Sequence, residues 1–526
     1  CFKTENSSHH YRLVGLEISI DTLVLNSYGL VVLGDASKGQ GTLSVVPHDF
    51  IIDRCYIHGH SNATIMKSGV ILNCANSAVL DSYISDFHSI GYDTYAIGGT
   101  NGPGPFIIRN NYLEAAGENI IFGGAAASIP NLVPSDIEIR NNHFFKPLQW
   151  RTTHPLYNGK HWTIKNLFEL KTGKRVLLDG NIFENCWADL PIGQSGYAIL
   201  LTVRSEGGAS PQADVSDITI SNNIIKHVGS GISLSGRDSP SPSLQSKRIQ
   251  IVNNLFDDIN GAKYGDQNID GPNDGIFLKI GEPDDVIIDH NTVFQSGAIT
   301  WAYDTTLNIS ITNNIFNCFL SAGGYQGIYG PGFAQGGNGP MGNFFPNIKD
   351  LNKKFNKNVL IGGPINKYTN YNTISNNYFP LGQNDVKFVD YNGGLNNYLN
   401  YTLNRSSPYY LNGIDNKDIG VDFVLLKQAL EKTSDCLNTI VENEHLEHQI
   451  NIYPNPIHDH LMIIGNELMD NGDFIITDLF GNQVKRFQHL FGNSIDLKIE
   501  NIPTGIYFYN ILVNRTLHSK GKIIIY

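Results

Sequence analysis

Charged side chains are scarce in this sequence of 526 residues, where they make up 16% of the positions, against roughly 25% in an average soluble domain. Basic residues are especially few, because 37 Lys and Arg stand against 49 Asp and Glu, a formal net charge of −12. Nucleic-acid phosphates are bound by strongly basic surfaces, so no nucleic-acid partner is expected.

Long apolar runs are also missing. No stretch reaches the roughly 18 apolar residues of a membrane-spanning helix, so no transmembrane segment is expected. The chain begins at Cys1 without Met or an apolar leader, and YRLVGLEISI at 11–20 already reads as a strand of a repeat. We therefore expect a processed chain or one truncated at its N-terminus. The apolar fraction of 41% suffices for a large core, which excludes global disorder.

The six cysteines lack the spacing of a metal site. None forms a Cys-x-x-Cys pair, which argues against a structural zinc site. Buried free thiols are the expectation, and one or two disulfides remain an alternative for an exported protein.

A pattern of ten residues recurs along the chain: alternating apolar residues, a polar residue that is usually Asn, and two apolar positions. FIIRNNYLEA at 106–115 and ISITNNIFNC at 309–318 are two copies. Aligning the copies stacks Cys55, Ser82, Asn111, Asn142, Asn181, Asn223, Asn254, Asn291, Asn314 and Asn377. A period of about 30 residues with short alternating strands is typical of a parallel β-helix. A β-propeller fits less well, because its blades carry no stack of Asn and repeat at about 40 residues or more.

The predicted fold is all-β, with a right-handed parallel β-helix over 1–404. Strand segments such as LFELK at 167–171 precede most copies of the pattern, so each coil has at least two strands. Residues 145–163 and 319–371 are the main insertions. The segment 405–449 contains DFVLLKQALEK, which predicts a short helix that could cap the end of the coil.

Residues 450–526 differ from the coil and predict a small β-sandwich of short antiparallel strands. This segment is similar to the C-terminal sorting domain of the type IX secretion system. The resemblance rests on the Tyr453-Pro454-Asn455-Pro456 opening, the stretch Asp478 to Gly481, the Gly505-Ile506-Tyr507 strand, and the close from Lys520 to Tyr526. It implies a Bacteroidetes-type bacterium, the type IX machinery as a partner, and a secreted or outer-membrane-surface location. A carbohydrate-binding sandwich is the alternative.

Strand alternation indicates which polar side chains leave the core. In the strands that precede the copies of the pattern, the outward positions include Asn119, Glu169, Lys171, Arg204, Phe277 and Lys279. Cations and carboxylates on one face suit β-elimination on a uronate, in which a base removes the C5 proton and a cation stabilises the resulting charge. A solvated ion pair of little energetic value is the alternative for Glu169 and Lys171.

The coil resembles the β-helix proteins that include pectate, alginate and chondroitinase-type lyases and polygalacturonases. That resemblance implies calcium bound by Asn119 and Glu169, Lys171 as the base and Arg204 as its helper. The sequence departs from those lyases, which place two acidic ligands before the Lys. Lys279, Trp150 and Trp162 are the predicted substrate-binding residues, with packing of the 145–163 loop as the alternative for the two Trp rings.

Three hypotheses follow for the function. The first is a secreted polysaccharide lyase that acts on an acidic glycan, with calcium as the sole expected cofactor. The second is a non-catalytic surface protein that binds glycans or other cells, and the third is a β-helix glycoside hydrolase. A monomer is expected, and the sequence alone does not decide whether the chain is an enzyme.

Overall fold

The computed structural model describes residues 1–265, 275–304, 306–318, 327–329, 354–365, 376–437 and 450–525, apart from 454, 456, 479–481 and 514–515. Most of the predicted insertion 319–371 lies outside the described residues. The chain divides into two compact units, Cys1–Glu431 and Lys432–Tyr526. Among the described residues, no helix is both long and apolar enough to cross a membrane.

The first unit is built from three parallel sheets of eleven strands each, and every full coil contributes one strand to each sheet. The first sheet contains Phe2–Lys3, Val31–Leu33, Ser68–Leu72, Tyr95–Gly99, Glu118–Phe122, Phe168–Leu170, Tyr197–Thr202, Ser230–Ser235, Leu278–Gly281, Thr300–Ala302 and Ile328–Tyr329. The second contains His9–Val14, His48–Asp53, Ala75–Leu80, Gly104–Arg109, Ser135–Arg140, Gly173–Asp179, Val215–Ser221, Lys247–Val252, Asp284–Asp289, Leu307–Thr312 and Phe355–Asn356. The third contains Glu17–Ile18, Tyr56–His58, Tyr83–Phe87, Tyr112–Ala115, His143–Phe145, Ile182–Cys186, Ile224–Val228, Leu255–Ile259, Thr292–Gln295, Ile315–Asn317 and Val359–Ile361.

This arrangement is a right-handed parallel β-helix, as the repeat predicted. The remaining described elements are short: a two-stranded pairing of Asn26–Ser27 with Ile65–Met66, the α-helices Gly261–Tyr264 and Gln383–Val386, and the 3₁₀ turns Lys38–Gln40, Leu43–Val45, Leu148–Trp150, Tyr391–Gly393 and Tyr398–Tyr401.

At the bend between the second and third sheets, two adjacent residues have different roles. The stacked residues of successive coils, such as Asn111 and Asn223, form a ladder along the axis. The residue before each ladder position takes the left-handed conformation, as at Asn110 (φ 60°) and Asn222 (φ 54°). Asn tolerates a positive φ better than most residues do. The ladder residue that follows turns its amide inward instead. The ladder Asn itself therefore does not take the left-handed conformation, and the recurring Asn-Asn pair is explained by two separate roles.

The ladder amides bond to one another along the axis. From Asn111 to Asn377, each Nδ2 donates to the Oδ1 of the next ladder residue at 2.9–3.1 Å. Each Oδ1 also accepts the backbone N–H of the preceding ladder residue, as Asn223 does from Asn181 at 2.8 Å. Between Asn314 and Asn377 the ladder includes Asn358, which the sequence alignment missed. The apparent gap of 63 residues is therefore two coils.

Aliphatic and Phe side chains fill the interior of the coil in one continuous core. Cys55, Cys74, Cys186 and Cys318 lie buried in this core as free thiols, whereas Cys1 is exposed and free. Burial raises the pKa of the Cys74 and Cys186 thiols to about 12, so these groups are unreactive packing residues.

The segment after Asn377 covers the outer face of the third sheet. Its apolar side chains, among them Val386, Tyr401 and Leu426, pack against outward residues such as Leu255 and Phe294. The α-helix Phe423–Leu437 begins within this layer. Covering a sheet face in this way shields apolar surface that a coil would otherwise expose to solvent.

The second unit contains one antiparallel sheet of five strands, Ile450–Tyr453, His460–Thr477, Gln483–Lys498, Gly505–Val513 and Thr516–Ile525. Its core includes Leu461, Phe474 and Ile511. This all-β, antiparallel unit agrees with the fold predicted for residues 450–526.

Candidate functional site

The outer face of the first sheet carries four of the predicted residues. Backbone pairing aligns Glu169 with Leu200, Ser233, Lys279 and Trp301 on successive coils. The neighbours of Glu169 along the strand, Phe168 and Leu170, face the core. Glu169 and Lys279 therefore share one outward column, three coils or about 14 Å apart.

Glu169 and Lys171 form a pair on this face. Their Oε1 and Nζ atoms are 3.8 Å apart, and Glu169 Oε2 accepts a hydrogen bond of 3.0 Å from Asn166 Nδ2. The Glu169 side chain is only 3% exposed, whereas that of Lys171 is 19% exposed. Of the two, Lys171 is thus the group that a polymer on the surface can reach.

Asn119 does not join this pair. Asn119 is the second residue of the strand Glu118–Phe122, where its backbone N–H and that of Ile120 both donate to the Leu167 carbonyl and the regular pairing is interrupted. Its side chain lies beside Lys146 rather than on the outer face. Its Nδ2 donates to the carbonyls of Leu113 and Phe145 at 2.6 and 2.9 Å, and its Oδ1 accepts from Lys146 Nζ at 3.3 Å. The prediction that Asn119 points outward is wrong for this reason. Phe277, also predicted to face outward, directly precedes the strand Leu278–Gly281 and lies in the core.

Asn119 and Glu169 do not fit a shared calcium ion. The amide oxygen of Asn119 is occupied by an ammonium group, and the carboxylate of Glu169 lies beside Lys171 and Asn166. Calcium requires several converging oxygen ligands. Asn119 and Glu169 do not direct free oxygen atoms towards a common point, so no catalytic step is assigned to calcium.

A second carboxylate, Glu118, is buried near Glu169. It is fully buried, both of its oxygens lack a hydrogen bond, and its Oε1 lies 3.5 Å from Lys165 Nζ. Lys165 also pairs with Asp93. Burial, followed by the charge of Glu169, raises the pKa of Glu118 to about 8. The Glu118 carboxylate therefore affects the stability of the fold and is not accessible to a ligand on the surface.

Arg204 lies beside Lys171 at the end of the next strand. Its backbone N–H donates to the Lys171 carbonyl at 2.9 Å. Its guanidinium is about half exposed and pairs with Asp238, with Nη1 and Oδ1 3.3 Å apart. A cavity next to Arg204 has a volume of about 10 Å³, room for at most one water. At this point the face is shallow.

Lys279 has a different environment. Its Nζ lies 5.3 Å from the centre of the Trp301 ring and 5.9 Å from that of Tyr303. In the described part of the chain, no carboxylate lies within ion-pair distance of this ammonium. Burial against the rings lowers the pKa of Lys279. An ammonium over aromatic faces gains cation–π attraction and remains available to an external anion.

The sequence analysis missed Trp301 and Tyr303. Trp301 lies in the strand Thr300–Ala302 of the next coil, and Tyr303 follows that strand. Ala302, between them, is buried in the core. The alternation in the segment TWAY at 300–303 is the signal that could have found them, since it places both rings on the outward side.

Trp150 and Trp162 lie elsewhere. They are 5% and 3% exposed and pack with Trp187 and Tyr264 in a small cluster beside the coil. The Trp162 ring also stacks on His88, with ring centres 3.9 Å apart. Rings buried to this degree offer no free face to a sugar, so the packing interpretation describes both residues.

Two family models agree with this architecture. A family model for the right handed beta helix region matches residues 161–316, and one for the secretion system C-terminal sorting domain matches residues 451–526. No curated protein matches the chain. Among solved structures, the chain is similar to the crystal structure of PfbA, a surface adhesin of Streptococcus pneumoniae. The identity is 14% and the TM-score 0.36, over 61% of this chain and 70% of that one.

Proposed function

We propose that this chain, a right-handed β-helix protein that its C-terminal sorting domain directs to the cell surface or the extracellular space, binds an acidic polysaccharide on the outer face of its first sheet. The observation that carries the proposal is Lys279. This ammonium lies 5.3 and 5.9 Å from the centres of the Trp301 and Tyr303 rings, and no described carboxylate pairs with it.

The chemistry of this face suits a charged sugar polymer. Flat aromatic rings stack on the apolar faces of sugars, and an adjacent ammonium pairs with a carboxylate or sulfate on the same residue. Lys171 and Arg204 add two cations to this face. Lys171 lies three coils from the Lys279 position and Arg204 two coils, or about 14 Å and about 10 Å along the axis. Charge spaced along a shallow face favours an extended chain over a small ligand.

Binding to a panel of soluble polyuronates, sulfated glycans and neutral glycans tests this proposal. We expect the full chain to bind a member of the acidic group, with an affinity that falls as salt increases. Trp301→Ala and Lys279→Ala are each expected to weaken binding about tenfold, the loss that corresponds to about 1.4 kcal/mol. Titration calorimetry with the wild type and both variants measures this change.

Lys247→Ala serves as the matched control. Lys247 is an exposed lysine on the second sheet, away from the aromatic pair, so its loss should leave the affinity within twofold. Binding of neutral glycans alone, or equal losses for Lys247→Ala and Lys279→Ala, would contradict the proposed face.

Cleavage by β-elimination is a second candidate, favoured by the backbone hydrogen bond from Arg204 to Lys171, which places these two residues side by side on adjacent coils. In this reaction the Lys171 amine would take the C5 proton of a uronate. The electron pair of that C–H bond forms the C4–C5 double bond as the C4–O bond breaks, and the leaving oxygen then takes up a proton. Arg204 would stabilise the negative charge on the uronate carboxylate.

The ultraviolet absorbance of the unsaturated product reports this reaction, and reducing ends report any cleavage. We expect Lys171→Ala to reduce the rate at least a hundredfold, the lower range for loss of a proton-transfer group. Lys174→Ala, three residues further along on the second sheet, should not change it. Reducing ends without new absorbance would indicate hydrolysis. Silence in both assays, with binding intact, would leave a non-catalytic glycan-binding protein.

A further inference from the structure

A cluster of histidines lies at the start of the second sheet, far along the chain from the face described above. Backbone pairing aligns His9 with His48, and the two rings stack with centres 5.0 Å apart. Asp49 follows His48, and one ligand atom from each of His10, His48 and Asp49 falls within 4.8 Å of the others. We propose that His10, His48 and Asp49 bind a divalent transition-metal ion such as Zn²⁺, with His9 orienting the His10 ring.

The donor atoms are of the type and spacing that zinc takes. Imidazole nitrogens and a carboxylate oxygen bind zinc at about 2.0–2.2 Å in a tetrahedral arrangement, which separates ligand atoms by about 3.4 Å. His10 Nε2 and Asp49 Oδ2 are 3.6 Å apart. His48 Nδ1 lies 2.6 Å from the same oxygen in a hydrogen bond. A metal ion that replaces the shared proton would open this distance by about 0.8 Å.

Two contacts hold the ligands in place without the ion. His9 Nδ1 and His10 Nδ1 share a hydrogen bond of 2.7 Å. When His10 carries this proton on Nδ1, its Nε2 has the free lone pair and faces Asp49. On the next coil, Asn76 Nδ2 donates to the other oxygen of Asp49. Such supporting hydrogen bonds commonly fix the orientation of metal ligands.

Coils further along the second sheet carry different side chains at the positions equivalent to His10, Asp49 and Asn76. We call this line of equivalent positions the column. His10, Asp49 and Asn76 begin a line of left-handed residues at equivalent positions, which further along includes Arg175, Asp217 and Arg248. There the carboxylates pair with guanidinium groups, as Asp217 does with Arg248 through contacts of 2.5 and 2.7 Å. A permanently charged arginine cannot ligate a metal, whereas the imidazoles beside Asp49 can.

Asparagine offers matched substitutions throughout this column, because it tolerates the left-handed conformation that His10 (φ 62°), Asp49 (φ 61°) and Asp217 (φ 58°) adopt. His10→Asn and Asp49→Asn each remove one ligand, whereas Asp217→Asn removes an equivalent carboxylate that lies outside the cluster. The thermal midpoint of each protein without metal shows whether it is folded.

The experiment is calorimetric titration of the untagged full chain with Zn²⁺, with Ca²⁺ as a comparison. We expect saturable binding of one Zn²⁺ in the wild type and in Asp217→Asn, no comparable binding of Ca²⁺, and an increase in the thermal midpoint with Zn²⁺. His10→Asn and Asp49→Asn should lose saturable binding, and His9→Ala should weaken it ten- to hundredfold. Saturable binding that persists in the His10→Asn, Asp49→Asn double variant, or its absence from the wild type, would overturn the proposal.

Discussion

Asn223→Ala is expected to lower the free energy of unfolding of the coil by about 3–5 kcal/mol, since it leaves several buried polar groups unpaired at about 1–3 kcal/mol each. Asn223 is completely buried. Its Oδ1 accepts from the backbone N–H and the Nδ2 of Asn181 at 2.8 and 3.0 Å. Its Nδ2 donates to the Leu178 carbonyl and to Asn254 Oδ1 at 3.0 and 2.9 Å. Alanine replaces none of these bonds.

Urea unfolding followed by tryptophan fluorescence measures this loss. The four tryptophans of the chain, at 150, 162, 187 and 301, all lie in the first unit, so the fluorescence signal reports the unfolding of that unit. Asn396→Ala, at an exposed position, provides the control and should change the stability by less than about 0.5 kcal/mol. If Asn223→Ala were as stable as this control, the ladder would not be what stabilises the stack of coils.

Glu118 is expected to make the coil less stable as the pH rises from about 4.5 to 8. Burial and the neighbouring Glu169 raise its folded-state pKa to about 8 from an ordinary value of 4.5. In this range the unfolded chain releases the proton while the folded chain retains it. Stability attributable to Glu118 is therefore fully present below about 4.5 and is lost as the pH approaches 8, by up to about 1.4 kcal/mol per pH unit.

Glu118→Gln tests this expectation because it keeps the shape of the side chain and cannot ionise. The variant should be more stable than the wild type at pH 8, and the difference should shrink towards pH 4.5. Urea unfolding at a series of pH values gives both curves. Glu138→Gln, whose carboxylate is 40% exposed beside Arg140, is the control, and its curve should follow that of the wild type. A Glu118→Gln protein that loses stability at pH 8 would mean that the charge pair with Lys165 outweighs the cost of burial.

The architecture of the coil could be predicted from sequence because one residue type repeats for one physical reason. A buried amide that must bond both its neighbours allows almost no substitute, so Asn recurs at the ladder positions and is visible in the sequence. Ser82 and Cys55 replace it on the first coils, where Ser82 Oγ still accepts the Cys55 N–H at 3.0 Å. Asn358 escaped the alignment because the residues directly before it, NKKFNK at 352–357, include one apolar residue instead of the alternating apolar residues of the other copies.

The candidate site was predicted less completely, and the wrong predictions have two physical causes. Alternation correctly placed Glu169 on the outer face, but it fails near the beginnings of strands, as at Asn119 and Phe277. The spacing of residues along the sequence also does not show which distant segments bury a given side chain. Trp162 sits in a loop rich in polar residues, yet it is packed against His88 and Trp150. Burial by distant segments depends on the fold of the loop, which the repeat does not encode.

The hydrogen-bonding pattern of the ladder has a consequence for how this chain can change length. Each ladder amide donates to one neighbour and accepts from the other, so the bonds made by one coil are the same whichever coil lies next to it. A whole coil can therefore be gained or lost without an unpaired group, while a partial one cannot. The outer face grows or shrinks in steps of about 4.8 Å. The distance between the Lys171 and Lys279 positions is thus set by a count of coils, and duplication of one coil would lengthen the interval between these cations by one step.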